Sequence, residues 1–412
     1  MPKAPPKLSA KKTAPIVPRH DAGVFTPFDH QPRTRLVFGA DSAGRAGELA
    51  RETGMKTVLL VTDAGVVAAG HAERVRRCLE AARVKVILFD KVRENPTTRD
   101  VAECLRAARA GAIDGIIGLG GGSSLDTAKG CNFLLTNGGR MRDYWGVGKA
   151  GKAMLPWIAI PTTAGTGSEC QSFALIADER THQKMACGDP KAAARVAILD
   201  PVLTLSQPPH VAACAGIDAL SHALETAVTT RRNPLSLAYS RESFRLCWSN
   251  LPRVLIRAGD LEARAGMLLG AALAGLAIEN SMLGAAHAAA NPLTAHFNIA
   301  HGEAVGLMLP HVLRFNGRDA EAAGLYASLD WGLDNAPDAS LSTKADRLAE
   351  NLESLLRLAG MPRSLSQCGV KPSAIPALAS EAVKQWTAAF NPRPITEPDF
   401  AKLFEAALGN TG

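Results

Sequence analysis

Four residues in the second half of the chain have the types and spacing of ligands for one divalent metal ion. They are Asp218, His222, His287 and His301. Asp218 and His222 are four positions apart, so on a helix their side chains project from one face, one turn apart. One carboxylate and three neutral imidazoles suit Fe²⁺, Zn²⁺ or another borderline first-row ion better than Mg²⁺ or Ca²⁺. A site of this kind predicts an enzyme.

A glycine-rich segment, Gly118–Ala128, predicts a binding site for a cofactor that carries phosphates. It follows the apolar run 115–119 and precedes an apolar helical run. The N–H groups of Gly121, Gly122 and Ser123 at a helix N-terminus would bind a pyrophosphate, and we expect Ser123 also to cap that helix. An ordinary strand-to-helix turn is the alternative. The coincidence of strand, triple glycine and helix favours phosphate binding.

Three further polar positions follow predicted strands and are expected at the same cofactor. The loop 161–169 contains Thr162 and Thr163, which would wrap the nicotinamide and ribose, or form a plain structural turn. Asp63 ends another strand, where a carboxylate accepts from a ribose hydroxyl and repels a 2′-phosphate, so NAD is favoured and NADP is possible. A helix N-cap is the alternative for Asp63. Asn95 lies in a third loop at this edge.

The elements that must position these residues change in type near position 205. Short apolar runs alternate with helical patterns before it, which indicates a mostly parallel sheet, and long Ala/Leu-rich helices follow it. We therefore predict a disordered tail (1–24), an α/β dinucleotide-binding domain with a parallel sheet (25–205) and an all-helical metal-binding domain (206–412). The predicted strands are 35–38, 57–62, 85–89, 115–119, 157–160 and 196–199.

Composition excludes several other classes of protein. The net charge is +7, but five basic residues lie in the first twenty positions and no nucleic-acid motif follows, so nucleic acid is not expected as a partner. The longest uncharged apolar run, 265–278, is too short to span a bilayer and predicts a buried helix. Eight scattered cysteines without a CxxC pair are typical of reduced thiols. We expect a cytoplasmic homodimer without membrane association.

The chain resembles the iron-containing (group III) alcohol dehydrogenases from about residue 24 to its C-terminus. The resemblance rests on GLGGGSSLDTAKG, IPTTAGTGSE, ILDP, GIDALSHALE, LGAAH, AHGEAVGLMLPHV and NPRP, in the family's order. It implies a dinucleotide-binding domain, a helical domain and a divalent metal between them. The implied metal ligands are the four residues named above. The implied cofactor residues are Gly121, Gly122, Ser123, Asp126, Thr162, Thr163, Asp63, Asn95 and Lys184.

Asn291 departs from the family pattern, in which a second histidine commonly follows the first late ligand by four positions. That position lies near the substrate in the family, so the resemblance implies a substrate-positioning role for Asn291. An amide donates and accepts hydrogen bonds but does not exchange a proton near neutral pH. The family's substrate and proton route are therefore not transferred to this chain.

Three alternatives to an alcohol dehydrogenase are less consistent with the sequence. A glycerol-dehydrogenase- or dehydroquinate-synthase-like enzyme of the same fold is disfavoured by the one-carboxylate, three-histidine set and by NPRP near the end. A non-catalytic nucleotide-binding relative is disfavoured because every ligand is present. A metallohydrolase would leave the glycine-rich loop unexplained.

Overall fold

The computed structural model describes residues 27–181, 183–329 and 339–409. The predicted tail, 1–24, lies outside these residues. The strands are β1 (Arg35–Phe38), β2 (Thr57–Asp63), β3 (Lys85–Val92), β4 (Gly115–Gly120), β5 (Gly146–Val147), β6 (Trp157–Pro161), β7 (Phe173–Ala177), β8 (Lys184–Gly188) and β9 (Val196–Leu199). All six predicted strands are present, which confirms the alternating pattern as their signal.

Six of these strands form one parallel sheet in the order β1-β9-β6-β4-β2-β3. Every pairing within it is parallel, so all six carboxyl ends lie at the same edge. The chain passes from β2 outward to β3 and then crosses back to β4 on the other side of β2. The carboxyl ends of β2 and β4 thus flank a topological switch point, the usual place for a ligand in an open α/β sheet.

A second, smaller sheet was not predicted. It contains β5, β8 and β7, with β7 antiparallel to β8. The pairing of Ala177 with Lys184 brings Lys184 to the start of this hairpin. The small sheet thereby carries one of the implied cofactor residues, which the large sheet alone would not position.

Helices cover the large sheet and form the second half of the fold. Those between the strands are α1 (Ala46–Glu52), α2 (Ala64–Ala68), α3 (His71–Ala81), α4 (Thr98–Gly111) and α5 (Gly122–Asn137). Those after β9 are α6 (Pro209–Val228), α7 (Pro234–Ile256), α8 (Leu261–Asn280), α9 (Ala285–Phe297), α10 (His301–Asn316), α11 (Ala320–Ala327), α12 (Leu341–Leu358), α13 (Ile375–Ala382) and α14 (Glu397–Leu408). The predicted fold class, a parallel α/β sheet followed by a helical part, is confirmed.

Small residues let the central helices of the second half pack closely. The core here is rich in alanine, with α6, α8 and α9 contributing buried alanines along most of their length. Helices α6 and α8 are long and apolar enough to cross a membrane by composition alone, yet 83% and 61% of those stretches are buried in the fold. Core helices of a globular protein have this character, as predicted for 265–278.

Candidate metal and cofactor site

The four predicted metal ligands meet at one point in the structure. Asp218 and His222 lie one turn apart on α6, His287 lies on α9, and His301 is the first residue of α10. Asp218 Oδ1 is 3.4 Å from Nε2 of His222, 3.4 Å from Nε2 of His287 and 3.8 Å from Nε2 of His301. We call these four residues the ligand cluster.

The polar atoms of the ligand cluster fit a divalent cation. Asp218 Oδ1 and His287 Nε2, which lie 3.4 Å apart, are buried and have no hydrogen-bond partner among the described residues. A buried polar atom without a partner costs about 1–3 kcal/mol. A cation bound by the carboxylate and imidazole nitrogens would remove this cost. His301, whose side chain is 26% exposed, forms the open side of the cluster.

Glu225 supports the ligand cluster; it is the last residue of the motif GIDALSHALE, but no role was predicted for it. It lies on α6, about one turn beyond His222, and is buried. Its Oε2 is 2.5 Å from His287 Nδ1, and its Oε1 accepts the backbone N–H of Ala286 at 2.7 Å. The contact with Glu225 holds Nδ1 of His287, so the opposite ring nitrogen, Nε2, is directed at Asp218. Carboxylates behind metal-binding histidines orient them in this way.

The charges of the cluster balance each other in the protein alone. Burial opposes a charged His287 ring, but the carboxylates of Glu225 and Asp218 outweigh it and raise the His287 pKa to about 9. Burial also works against the charge on Asp218, yet the three neighbouring histidines hold the pKa of this carboxyl well below its usual range. Burial lowers the pKa of His301 to about 3. Near neutral pH, His301 is thus already the neutral imidazole that a metal ligand must be, whereas His287 has to release a proton before it binds a metal.

Gly302 brings α10 against α6 beside the cluster. The residue lies in the first turn of α10. A Cβ atom there would lie 2.3 Å from the backbone oxygen of Cys214 on α6, so only glycine permits this approach. The close packing explains how His301 reaches Asp218 from a second helix.

The glycine-rich loop connects β4 to α5 at the switch point. Helix α5 begins at Gly122, and its N-cap is Gly121, which makes no side-chain capping bond. The predicted cap at Ser123 is therefore wrong, because Ser123 is already the second residue of the helix. The N-terminus of α5 keeps its N–H groups uncapped by side chains, as an anion site requires.

Asp63 lies beside this loop and is a helix N-cap, the alternative that its position at a strand end also predicted. It is the N-cap of α2, where Oδ1 accepts the N–H of Val66 at 3.0 Å. Its Oδ2 accepts the hydroxyl of Ser124 at 3.2 Å, across the switch point. The carboxylate therefore lies next to the N-terminus of α5.

The loop after β6 joins the glycine-rich loop to the helices that carry the metal ligands. The N–H of Thr162 donates to the carbonyl of Gly120, and Thr163 packs beside Gly121. Further along the loop, Gly165 packs against Ala215 of α6, close to the ligand cluster. The two predicted sites are thus neighbours, connected by the segment from Thr162 to Gly165.

The side chain of Asp126 is buried within this region. Its Oδ1 accepts the hydroxyl of Ser168 at 2.7 Å, and its Oδ2 accepts the N–H of Leu175 at 3.2 Å. Lys129 Nζ lies 3.4 Å from the same carboxylate. In this structure the carboxylate fixes the loop after β6 and strand β7.

Lys184 lies between the two sites. Burial lowers the pKa of its ammonium group, and the carboxylates of Asp126 and Asp218 act against that decrease. Its charge in turn acts on His301. Lys184 thus interacts electrostatically with Asp126 on the cofactor side and with Asp218 and His301 of the ligand cluster. Asn95 is exposed after β3, with a left-handed φ of 50°, at the carboxyl edge of the sheet.

Asn291 is one turn beyond His287 on α9 and is half-buried. Its Nδ2 donates to Oε1 of Gln385 at 3.0 Å, which fixes the direction of the amide. Gln385 was not predicted as a site residue, because no motif surrounds it and it lies far along the chain. The structure thus places Asn291 beside the ligand cluster, on the same helix face as His287.

Comparison with known proteins gives a consistent result over almost the whole chain. The family described as "Iron-containing alcohol dehydrogenase" matches residues 32–201, and "Fe-containing alcohol dehydrogenase family, C-terminal" matches residues 212–408. Alcohol dehydrogenase 4 of Schizosaccharomyces pombe is 34% identical, over 90% of this chain and 87% of that protein. The NAD-dependent methanol dehydrogenase of Bacillus methanolicus is 33% identical, over 90% of this chain and 97% of that protein.

Structural comparison agrees with the sequence matches. The alcohol dehydrogenase from Oenococcus oeni superposes with a TM-score of 0.89 at 30% identity, covering 92% of this chain and all of that one. The predicted resemblance is therefore confirmed over both halves of the molecule. The chain belongs to the iron-containing alcohol dehydrogenase family and is an alcohol/aldehyde oxidoreductase.

Proposed function

We propose that this protein transfers a hydride reversibly between a small alcohol and NAD⁺, at a divalent ion held by the ligand cluster. The observation that carries the proposal is the convergence of three imidazoles on Asp218 Oδ1, a buried atom without another partner. The glycine-rich loop lies next to it through the loop after β6. A metal site next to a dinucleotide site would hold the alcohol and the nicotinamide close to each other.

The donor set supports Fe²⁺ as the ion, with Zn²⁺ as the other candidate. One carboxylate and three imidazoles suit both. A divalent ion here would act as a Lewis acid on the alcohol's oxygen, and NAD⁺ would accept the hydride. Glu225 keeps the His287 ring oriented toward that ion, and the exposed side of His301 leaves room for the substrate.

We assign the cofactor to the switch point between β2 and β4. The uncapped N-terminus of α5 at Gly122 and Ser123 would bind the pyrophosphate, with Thr162 and Thr163 alongside. Asp63 would accept from the ribose and repel a 2′-phosphate, which supports NAD over NADP. Asp126, Lys184 and Asn95 are proposed as the supporting residues of this site.

Asn291 is proposed to position the substrate. Its amide is oriented by Gln385 and lies on the same face of α9 as His287. An amide carries no proton to exchange near neutral pH, so the alcohol's proton would leave through water or the cofactor ribose.

The broader organisation is also part of the proposal. Residues 25–205 would bind the cofactor and 206–412 the metal, with the division between the end of β9 and the start of α6. All eight cysteines are free thiols, which supports a reducing, cytoplasmic location. We propose a homodimer, to be tested by light scattering on the purified protein.

The test of the catalytic proposal pairs metal content with turnover. Asp218→Asn and His222→Ala should each lose the ion bound by the ligand cluster and the NADH absorbance formed from short alcohols. His296→Ala is the matched control, because His296 is exposed and pairs with Glu381 away from the ligand cluster. Full turnover by a metal-free variant would refute the proposal.

The same assay separates the dehydrogenase from a lyase of similar fold. A dehydrogenase forms one NADH for each alcohol oxidised, whereas a lyase that uses NAD transiently forms none in net terms. A screen of short alcohols, diols and aldehydes with NAD or NADP, after reconstitution with Fe²⁺ or Zn²⁺, identifies the substrate class. Conversion of substrate without net NADH would contradict the proposed reaction.

A further inference from the structure

A second group of metal-ligating side chains lies on the two helices that carry part of the ligand cluster. His210 and Cys214 are four positions apart on α6, and Glu303 is in the first turn of α10. Nε2 of His210 is 3.6 Å from Sγ of Cys214 and 3.8 Å from Oε1 of Glu303. One ligand atom from each residue lies within 4.8 Å of the other two.

These separations agree with the distances between ligand atoms around a tetrahedrally coordinated ion. Zinc bonds of about 2.0–2.3 Å at tetrahedral angles place neighbouring ligand atoms roughly 3.3–3.8 Å apart. The two distances measured from His210 therefore equal the separations expected between ligand atoms of such a site. The pair His210 and Cys214, at i and i+4, also presents both ligands from one helix face.

We propose that His210, Cys214 and Glu303 form a second metal site, selective for Zn²⁺ or a similar borderline ion. A thiolate, an imidazole and a carboxylate suit such an ion and suit Mg²⁺ or Ca²⁺ poorly. Three protein ligands leave a fourth position for water. The His210 side chain is 62% exposed, so the site is open to solvent and exchanges its ion more readily than the buried cluster.

The second site shares no residue with the ligand cluster. Cys214 precedes Asp218 by one turn of α6, and Glu303 follows His301 by two residues on α10. Four residues of helix rise by about 6 Å, so two ions would be bound side by side without a common ligand. The protein would then hold two ions per chain, and only the second would have a sulfur ligand.

The surroundings of the second site attract a cation. Burial, followed by the carboxylates of Glu303, Asp218 and Glu94, raises the pKa of the Cys214 thiol to about 12. The same carboxylates favour a positive ion nearby. Glu94 belongs to the loop after β3, so this group lies where the sheet half meets α6. Binding has to release the thiol proton, which makes the site weaker than one with a preformed thiolate.

Cobalt distinguishes the two sites, because only a thiolate ligand gives Co²⁺ an intense sulfur-to-metal charge-transfer band. Titration of the metal-free full-length protein with Co²⁺ should produce this band. Cys214→Ser should abolish it, and His210→Ala and Glu303→Gln should each weaken Co²⁺ binding at least tenfold as measured by the band. His222→Ala, which removes a residue of the ligand cluster, should keep the band.

Cys78→Ser is the matched thiol control, since Cys78 is also partly exposed but lies on α3. It should leave the band unchanged. The absence of a band in the wild-type protein, or its persistence in Cys214→Ser, would overturn the proposal. An equal band in His210→Ala and Glu303→Gln would identify adventitious binding by a single thiol and would overturn it as well. Circular dichroism of each variant verifies folding, and none of these outcomes depends on alcohol turnover.

Discussion

Oε2 of Glu225 lies 2.5 Å from Nδ1 of His287, and both side chains are buried. Oε1 of the same carboxylate accepts the N–H of Ala286, the residue before His287. Glu225 therefore fixes the start of α9 and the ring of His287 together. The orientation of one proposed ligand thus depends on a residue three positions beyond another ligand, His222, on α6.

Replacing Glu225 by glutamine should weaken metal binding by about 10–100-fold, because the amide removes the charge that orients and polarises His287. Competition with a chelator measures the affinity. With saturating metal, most of the turnover should return, which separates this positioning role from misfolding. Glu381→Gln is the control, since Glu381 bonds the exposed His296. Equal affinity in the wild-type protein and Glu225→Gln would contradict the assignment.

Asn291→His should add an ionisation to the pH dependence of alcohol oxidation. An imidazole titrates in roughly the pH 5–8 range, whereas the amide does not titrate. We expect the kcat profile of the variant to rise through this range as the imidazole loses its proton and becomes able to accept one. Asn291→Gln keeps an amide and serves as control. A variant profile that superposes on that of the wild-type protein would show that this position does not contact the reacting alcohol or its proton route.

Asp63→Asn should shift cofactor preference toward NADP. Asparagine retains the capping function at α2, so the change mainly removes one negative charge. A unit charge near a phosphate is worth about 1–4 kcal/mol, so the ratio of kcat/KM for NADP to that for NAD should rise on the order of tenfold. Asp63→Glu keeps the charge and should keep the preference. An unchanged ratio in Asp63→Asn would remove Asp63 from the ribose site.

Glu169 should make the protein less stable as pH rises. Burial raises the pKa of this carboxyl from 4.5 to about 7, and its Oε1 has no hydrogen-bond partner among the described residues. The folded state therefore binds the proton more tightly than the unfolded state. The resulting stabilisation is full below about pH 4.5 and is lost as pH rises toward 7, by roughly 3 kcal/mol at most.

Glu169→Gln should remove this decrease, because the neutral amide does not titrate. The free energy of unfolding of the variant, measured by urea denaturation, should match that of the wild-type protein near pH 4.5 and exceed it near pH 8. Glu405→Gln, at an exposed position on α14, should follow the wild-type curve. Parallel curves for the wild-type protein and Glu169→Gln would contradict the role of Glu169.

The large sheet could be predicted because its strands are short β-branched runs separated by helical patterns. The small sheet could not, since β5 contains only Gly146 and Val147, and Lys184 follows a polar turn. A two-residue strand has no periodicity to detect. Helix α5 was predicted, but its first residue was not, because Ser123 is a common capping residue and only the backbone shows that Gly121 takes that position.

The candidate metal site was predictable in part. Helical spacing alone joins Asp218 to His222, but only the packing of α9 and α10 on α6 brings His287 and His301 to them. Glu225 lies in the motif GIDALSHALE and Gln385 in none, but the roles of both follow from contacts across 62 and 94 residues of sequence. Such partners are set by tertiary packing and leave no local signal.

Gly167 and Gly275 pack backbone against backbone where the loop after β6 meets α8. A Cβ atom on Gly275 would lie 2.3 Å from the carbonyl oxygen of Gly167, whose φ is +61°. The helical half therefore packs on the loop after β6 only if its residue at position 275 is glycine. Chimeras that exchange the helical half between relatives should fold only when the incoming α8 also has glycine there. Recombination of cofactor and substrate preferences within this family is thus constrained by a position that binds neither.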